Sequence, residues 1–182
     1  MPPPADSGGI AIDACCVLNL AGAGVNAVDV ADALGLALVV VEQVVSEVLW
    51  VEDLVDGEPV RTPVDLDAPA FAALTRVSLA DDELALYVTL ARDVDDGEAA
   101  TLAVARMRGL AVMTDDRKAR RVAQEQGLAV LGTAEVLRRA SEHLSASRAD
   151  VGEMLDRVQR RSRFRPRRGD PEAEWWHETV GR

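Results

Sequence analysis

The sequence has few of the residue types from which zinc sites and disulfide bonds are built. Among 182 residues there are 2 cysteines, Cys15 and Cys16, and 2 histidines, His143 and His177. Adjacent cysteines rarely bond to each other, so we expect reduced thiols and a cytoplasmic protein. Two isolated histidines do not complete a zinc site with adjacent cysteines. We expect both cysteines to be small buried residues that pack behind Asp13.

Aromatic residues and long apolar runs are also scarce. Aromatics make up 3% of the chain, although 48% of the residues are hydrophobic. A core of valine, leucine and alanine suits helices that cover a buried parallel sheet. No apolar run approaches the roughly 20 residues that span a bilayer, so no membrane association is expected. Residues 1–9 lack the regions of a signal peptide and are predicted to be a disordered leader.

Two nucleotide-binding motifs receive no support from the sequence. The glycine–lysine motif of nucleoside triphosphatases is absent. Residues 22–27 match a glycine pattern of dinucleotide sites, but they follow a predicted helix instead of a strand, so this match is discounted.

The net charge of −11 is unevenly distributed along the chain. Residues 1–116 contain 5 basic and 21 acidic residues, whereas residues 117–182 contain 15 basic and 10 acidic residues. The first part therefore carries −16 and the second +5. This division is compatible with a metal pocket beside a surface that binds a polyanion, but it is also compatible with charge that only maintains solubility.

Apolar runs and helical patterns alternate along the chain. Strands are predicted at residues 10–13, 37–41, 76–79, 110–114 and 128–131, with helices between them. Residues 42–50 read as a helix with Glu47 near its middle, and Asp56-Gly57 signals a hairpin. The fold class is α/β, a three-layer α/β/α sandwich with a central, mainly parallel sheet. We divide it into a domain at 10–143 and a helical, arginine-rich extension at 144–182.

Acidic residues stand where strands end or helices begin. These candidates are Asp13, Glu47, Glu98, Asp115 and Asp116. Because the carboxyl ends of parallel strands meet at one edge of a sheet, these side chains are expected to lie together. A carboxylate cluster is a site for a hard cation, Mg²⁺ or Mn²⁺, which favours metal-assisted phosphodiester hydrolysis.

Each carboxylate also has a simpler structural explanation. Asp95 and Glu98 fit a capping box at a helix N-terminus. Asp115 or Asp116 fits the N-cap of the next helix, and Glu47 fits an ordinary surface acid. The combination of the five acids, and not any single one, carries the prediction.

Five segments in order resemble the motifs of PIN domains over roughly residues 10–143. They are residues 12–20, 44–49, 97–105, 112–120 and 127–133. Two departures stand out. PIN domains often carry a hydroxyl residue just after the first Asp, where this chain has Ala14-Cys15-Cys16, and the third acid is Glu98 instead of Asp. The chain looks like a prokaryotic branch related to VapC-like toxins.

The resemblance implies an endoribonuclease dependent on Mg²⁺ or Mn²⁺ that cleaves single-stranded or structured RNA. It implies that Asp13, Glu98 and Asp116 hold the metal, that Glu47 completes the pocket, and that Asp115 competes with Asp116 for the fourth acidic role. Substrate-binding candidates are Thr114, Arg117, Lys118, Arg120 and Arg121.

The partners and the alternatives follow from the same resemblance. It suggests RNA, a homodimer and an antitoxin protein as partners, with the chain as the toxin of a type II pair. The four cations after Asp116 also fit an ordinary solvated helix face. The arginines between 160 and 168 are predicted to bind RNA or an acidic partner, and Trp175-Trp176 to dock on the body or on a partner. The alternative function is a catalytically weak PIN module that binds another protein.

Overall fold

A computed structural model describes residues 8–181. Residues 1–7 of the predicted leader lie outside the described residues. The first strand begins at Gly9, which we had assigned to the leader. Its position is tight, since a Cβ on Gly9 would come 2.8 Å from the carbonyl oxygen of Ala37.

Seven strands and nine α-helices make up the described part of the chain. The strands are β1 (Gly9–Ile12), β2 (Ala37–Val41), β3 (Trp50–Val55), β4 (Glu58–Pro63), β5 (Leu74–Val77), β6 (Ala111–Met113) and β7 (Val130–Leu131). The helices are α1 (Ala14–Ala23), α2 (Ala27–Leu34), α3 (Glu42–Val45), α4 (Asp81–Leu90), α5 (Asp96–Arg108), α6 (Arg117–Glu125), α7 (Thr133–His143), α8 (Arg148–Arg161) and α9 (Ala173–Val180).

A five-stranded parallel sheet lies at the centre in the order β5-β2-β1-β6-β7. The register pairs Ile10 with Leu38 on one side and with Ala111 on the other. The prediction of a central parallel sheet in an α/β/α sandwich is confirmed. Because β1 and β6 are parallel neighbours, the residues that follow them emerge at the same edge.

Each central strand is buried on both faces. Ile10 and Ile12 of β1 pack into the core on one side of the sheet, with α1, α2, α7 and α8. Ala11 and Val112 point to the other side, into a core formed with α4, α5 and α6. This explains the continuous apolar runs, because a strand covered by helices on both faces has no polar face.

The C-terminal region belongs to the same core as the sheet. Leu155 and Val158 of α8 are fully buried and α8 packs on α1, while Trp176 of α9 is 1% exposed. Trp176 therefore docks on the body of the protein, where it meets Phe164 edge-on at 5.4 Å. No break in packing separates residues 10–143 from the helices that follow them.

The predicted helix at residues 42–50 is wrong. Helix α3 ends at Val45, and Trp50 already belongs to β3. Residues 44–48 include three valines, which disfavour a helix because β-branched side chains lose rotamer freedom there. Pairing with β4 then begins at Trp50, and the predicted hairpin turn is present with Asp56 and Gly57 at positive φ.

Helix α1 continues through Gly22 to Ala23. It ends at Gly24, which adopts the left-handed conformation with φ 68°. Gly22 lies against α8, and a Cβ there would come 1.9 Å from the Ser162 hydroxyl oxygen. The small residue is needed for this close approach of two helices.

Within residues 8–181 no single helix is long and apolar enough to cross a membrane. Helices α1 and α2 satisfy the length and composition test only as a pair, and they meet at an angle of 111°.

Candidate metal centre

Asp13 is the buried centre of the acidic cluster. It follows β1 and caps the N-terminus of α1, and it is 4% exposed. Its Oδ1 accepts the backbone N–H of Ala14 at 2.8 Å, and its Oδ2 accepts the Thr114 hydroxyl at 2.9 Å. Burial raises the pKa of the Asp13 carboxyl, and the charge of Asp116 acts in the same direction, whereas the hydrogen bonds lower it.

Thr114 connects Asp13 to the acids of the neighbouring strand. It follows β6 directly, and its hydroxyl oxygen also accepts the backbone N–H of Asp116 at 3.2 Å. The residue is 1% exposed, so its side chain orients the acids and does not present a free surface for substrate. The hydroxyl that PIN domains often carry after the first Asp is thus matched by a hydroxyl from another strand.

Glu47 is held beside the cluster by a contact with Gly97. It follows α3, it is exposed, and its Oε1 accepts the backbone N–H of Gly97 at 3.1 Å. Burial of the carboxyl, then the charge of Asp13, raises the pKa of Glu47. A Cβ on Gly97 would come 2.6 Å from the Glu47 carboxylate oxygens. The requirement for glycine at 97 is visible only in the structure.

Glu98 lies in the first turn of α5 and both caps that helix and faces the cluster. Its Oε2 accepts the backbone N–H of Asp95 at 3.3 Å, which is the glutamate half of the predicted capping box. Burial, followed by the charges of Asp13 and Asp116, raises the pKa of Glu98 to about 7. The Glu98 side chain therefore both bonds to the N-terminus of its helix and lies near the charges of Asp13 and Asp116.

Asp115 and Asp116 are adjacent but occupy different environments. Asp116 caps α6, with its Oδ1 accepting the backbone N–H groups of Lys118 and Ala119. Asp115 points instead toward β7, where it accepts hydrogen bonds from Asn19 at 3.0 Å and from the backbone and hydroxyl of Thr133. Its oxygens fasten α1 to the start of α7.

The two cysteines differ from each other. Cys16 is fully buried, as predicted, and its thiol lies 3.4 Å from Asp115 Oδ2. Cys15 is only half-buried, so the prediction that it is buried is wrong, although its thiol does contact Asp13, donating to Oδ2 at 3.4 Å. Cys15, Cys16 and Asp115 bring three donor atoms within 4.8 Å of one another, one fewer than a tetrahedral zinc site needs.

The cations predicted for substrate binding are divided between two surfaces. Arg117 and Arg120 line a groove of about 530 Å³ beside Asp115, which Arg163, Arg165, Arg167 and Arg168 also line. We call it the arginine groove. Lys118 is exposed outside this lining, and Arg121 pairs with Glu125 on its own helix at 3.7 Å.

Salt bridges divide the arginines of the C-terminal run. Arg160, Arg161 and Arg163 pair with Asp156, Asp53 and Glu52. Within the part of the chain that the structure describes, no salt bridge reaches Arg165, Arg167 or Arg168. These three guanidinium groups are available to an anion in the arginine groove.

The cluster has the donor set of a hard divalent cation. Asp13, Glu98 and Asp116 influence one another's charge, and Glu47 interacts with Asp13. All four offer carboxylate oxygens, the ligands that Mg²⁺ and Mn²⁺ prefer. A cation among them would remove the mutual repulsion that raises the pKa of Asp13, Glu47 and Glu98. The N-termini of α1, α5 and α6 meet here too, and their dipoles favour negative charge.

Replacing Gly97 by Ala is expected to weaken Mn²⁺ binding by about 10- to 100-fold, because the new methyl group displaces the Glu47 carboxylate. Calorimetric titration with Mn²⁺ measures this effect. The fold should be retained, because the displaced atoms are the end of a flexible side chain and alanine favours helices. Gly152→Ala in α8, where the Cβ meets its nearest atom at 3.5 Å, is the matched control. If the effects of Gly97→Ala and Glu47→Gln on Mn²⁺ affinity add fully in the double variant, the explanation is contradicted.

A family model described as DUF3368, a PIN domain, matches residues 10–168. The match covers most of the chain and extends beyond residue 143 into the arginine groove. No curated protein matches the chain, and no solved structure does.

Proposed function

The chain belongs to the PIN-domain family, whose members are typically metal-dependent nucleases, and on this premise we propose that it is an endoribonuclease dependent on Mg²⁺ or Mn²⁺. The family prediction is confirmed, whereas the relation to VapC-like toxins stays a prediction. Single-stranded or structured RNA is the proposed substrate.

The observation that carries this proposal is that Asp13, Glu47, Glu98 and Asp116 lie near one edge of the sheet, where their charges help to raise the pKa of Asp13, Glu47 and Glu98. Asp13 is joined to Asp116 by the Thr114 hydroxyl, and Glu47 is joined to the first turn of α5 by Gly97. Helix capping explains Asp13, Glu98 and Asp116 separately, but capping alone does not require these acids to lie near one another and near Glu47, where like charges repel.

Each acid has a proposed role that its position supports. Asp13, Glu98 and Asp116 would hold the metal, which when bound activates water and stabilises charge on the phosphate. Asp116 is preferred to Asp115 because Asp115 is already occupied by hydrogen bonds from Asn19 and Thr133. Glu47 is the most exposed of the acids and would orient or deprotonate the attacking water.

The arginine groove supplies the proposed path for the RNA backbone. It begins at Asp115, next to the acids, and contains six arginines from α6 and the segment after α8. Guanidinium groups bind phosphates through paired hydrogen bonds. The groove also attracts a polyanion to a protein whose net charge is −11, so cleavage should weaken steeply with added salt.

The test is cleavage of a mixed pool of single-stranded RNA. We expect cleavage with Mn²⁺ or Mg²⁺, none in excess EDTA, and recovery when Mn²⁺ is restored, because the acids repel phosphate without a cation. Matched single-stranded DNA and double-stranded RNA define the substrate class. Cleavage that persists in EDTA would contradict the proposal.

A second candidate is a PIN module that binds a protein partner and has little catalysis of its own. It is favoured by exposed apolar side chains on the β3–β4 hairpin, namely Leu54, Val55 and Val60. Mn²⁺ affinity separates the two candidates, since a binding module does not need it. Pairing with an antitoxin, toxin function and homodimerisation stay predictions.

A further inference from the structure

A second cavity opens beside the carboxylates. It has a volume of about 370 Å³, and its lining includes Cys15, Glu47, Leu49, Trp50 and Arg163. Glu47 belongs to the acidic cluster, and the thiol of Cys15 touches Asp13. A group bound in this cavity therefore lies next to the atoms that act on the substrate.

The walls of the cavity are mainly apolar. Leu18 of α1 and Val51 of β3 form part of the lining with Leu49 and Trp50. Leu49 is 60% exposed although it lies beside an acidic site, so the folded chain has not used this side chain for its core. The indole of Trp50 is held by the guanidinium of Arg61, 3.9 Å from the ring centroid. An apolar cavity with a fixed aromatic ring suits a flat, weakly polar group.

The size of the cavity limits what it can hold. It is near the lower end of the roughly 300–1,000 Å³ typical of small-molecule sites. That is room for one nucleoside-sized group but not for several stacked nucleotides. The extended part of a nucleic acid must then lie elsewhere, and the arginine groove is adjacent.

Arg163 connects the cavity to the arginine groove. It lines both of them, and its backbone is in the left-handed region with φ 56°. Its guanidinium is exposed and is held by Glu52 of β3. A cation between an apolar cavity and a basic groove matches the alternation of base and phosphate along a nucleic-acid strand.

We propose that this cavity binds one unpaired nucleobase of the substrate, adjacent to the scissile phosphate, and so gives cleavage a base preference at one fixed position. The inference rests on the proposed nuclease function and deepens it. It also implies a requirement for an unpaired nucleotide, because a base inside a duplex must first leave the stack.

The experiment uses the full chain and a pool of single-stranded RNA with random sequence. Sequencing the cleaved ends of wild-type reactions should show a base preference of about 5-fold at one position, a modest preference of the kind that differences in stacking strength give. Leu49→Ala should reduce that preference to about 2-fold. The matched control is Leu54→Ala, on strand β3 just after Leu49, 65% exposed and outside the cavity lining.

A set of oligonucleotides with one abasic site at each successive position provides the second measurement. Fluorescence anisotropy should show about 10-fold weaker binding when the abasic site falls at the preferred position, and no such difference for Leu49→Ala. Cleavage by wild type with no base preference, and equal tolerance of every abasic site, would overturn the cavity proposal while the nuclease function stands.

Failure of the nuclease proposal gives a different pattern. If wild type does not cleave but its binding depends on one base and on Leu49, the cavity proposal stands and the nuclease proposal fails. If intact and abasic oligonucleotides bind equally, or none binds, the cavity proposal is overturned whatever the activity. Either of these two binding results would be expected if the cavity receives a side chain of a protein partner.

Discussion

Asp13→Asn is expected to lower the rate of Mn²⁺-dependent RNA cleavage by more than about 100-fold. Changes in residues that only support a metal ligand cost about 10- to 100-fold, so loss of a proposed ligand should exceed that range. Asparagine keeps the size of the side chain and a carbonyl oxygen for the Ala14 N–H, but it removes the negative charge. The measurement is the single-turnover rate of cleavage with enzyme in excess.

Stability separates a chemical effect of Asp13→Asn from a structural one. Burial raises the pKa of Asp13, so removing this charge should leave the melting temperature of the metal-free protein unchanged or higher. Asp32→Asn, at an exposed position of α2, is the control and should have no effect on either measurement. Retention of cleavage within a factor of ten would show that Asp13 is not in the site.

Glu98→Gln is expected to stabilise the metal-free protein at pH 8 and to remove most of its stabilisation by Mn²⁺. The pKa of Glu98 is about 7 in the folded protein and 4.5 in the reference state. Between these values the folded state binds more protons than the unfolded state, so the free energy of unfolding falls as pH rises. This loss is complete above about pH 7, and it is absent below about pH 4.5.

The expected size of the Glu98 effect is modest because solvent screens a partly exposed carboxyl. An increase of about 2–4 °C in the melting temperature at pH 8 corresponds to about 1 kcal/mol for a chain of this size. Glutamine keeps an oxygen for the Asp95 N–H, so the cap survives. Adding Mn²⁺ should raise the melting temperature of wild type, by mass action, far more than that of the variant.

Glu83 is a matched control for which the expected change in stability has the opposite sign. It occupies the same capping-box position in α4, where it accepts the backbone N–H of Ala80 at 2.7 Å. Its partner is a cation, since Arg108 donates to both carboxylate oxygens at 2.6 and 2.9 Å and holds the pKa of Glu83 below its usual value. The stability that this ion pair contributes is present at neutral pH, and it is lost as pH falls through the lowered pKa of Glu83.

Glu83→Gln should therefore destabilise the protein at pH 8 by about 1–3 kcal/mol, the range for losing hydrogen bonds to a charged group. Thermal unfolding of both variants across pH 5 to 8 without metal tests the comparison. If Glu98→Gln and Glu83→Gln change stability in the same direction at pH 8, the repulsion inferred at the acidic cluster is absent.

Local sequence signals were sufficient for most elements. Strand β2 and helix α7 have the predicted bounds, at Ala37–Val41 and Thr133–His143, because an uninterrupted apolar run and a helical pattern between clear stops leave little ambiguity. The prediction of one helix over residues 42–50 failed because valine-rich segments fit a helix or a strand, and the helix stops at Val45 before the hairpin strand that begins at Trp50.

The acidic residues could be selected from the sequence, but their environments could not. Order along the chain and the parallel-sheet rule placed Asp13 and Asp116 at one edge. The different directions of Asp115 and Asp116 depend on Asn19 and Thr133, which lie 96 and 18 residues away from Asp115. Such long-range contacts leave no periodic signal.

The sequence by itself determined the α/β class, the order of the elements, the family and the set of acids, because each of these depends on short-range patterns or on motif order. The tertiary structure decided that Thr114 supplies the hydroxyl beside Asp13, that Gly97 makes room for Glu47, and that Leu49 and Trp50 line a cavity next to the acids. The physical reason is packing: hydrogen bonds and steric limits between residues far apart in the chain arise only when the helices close on the sheet.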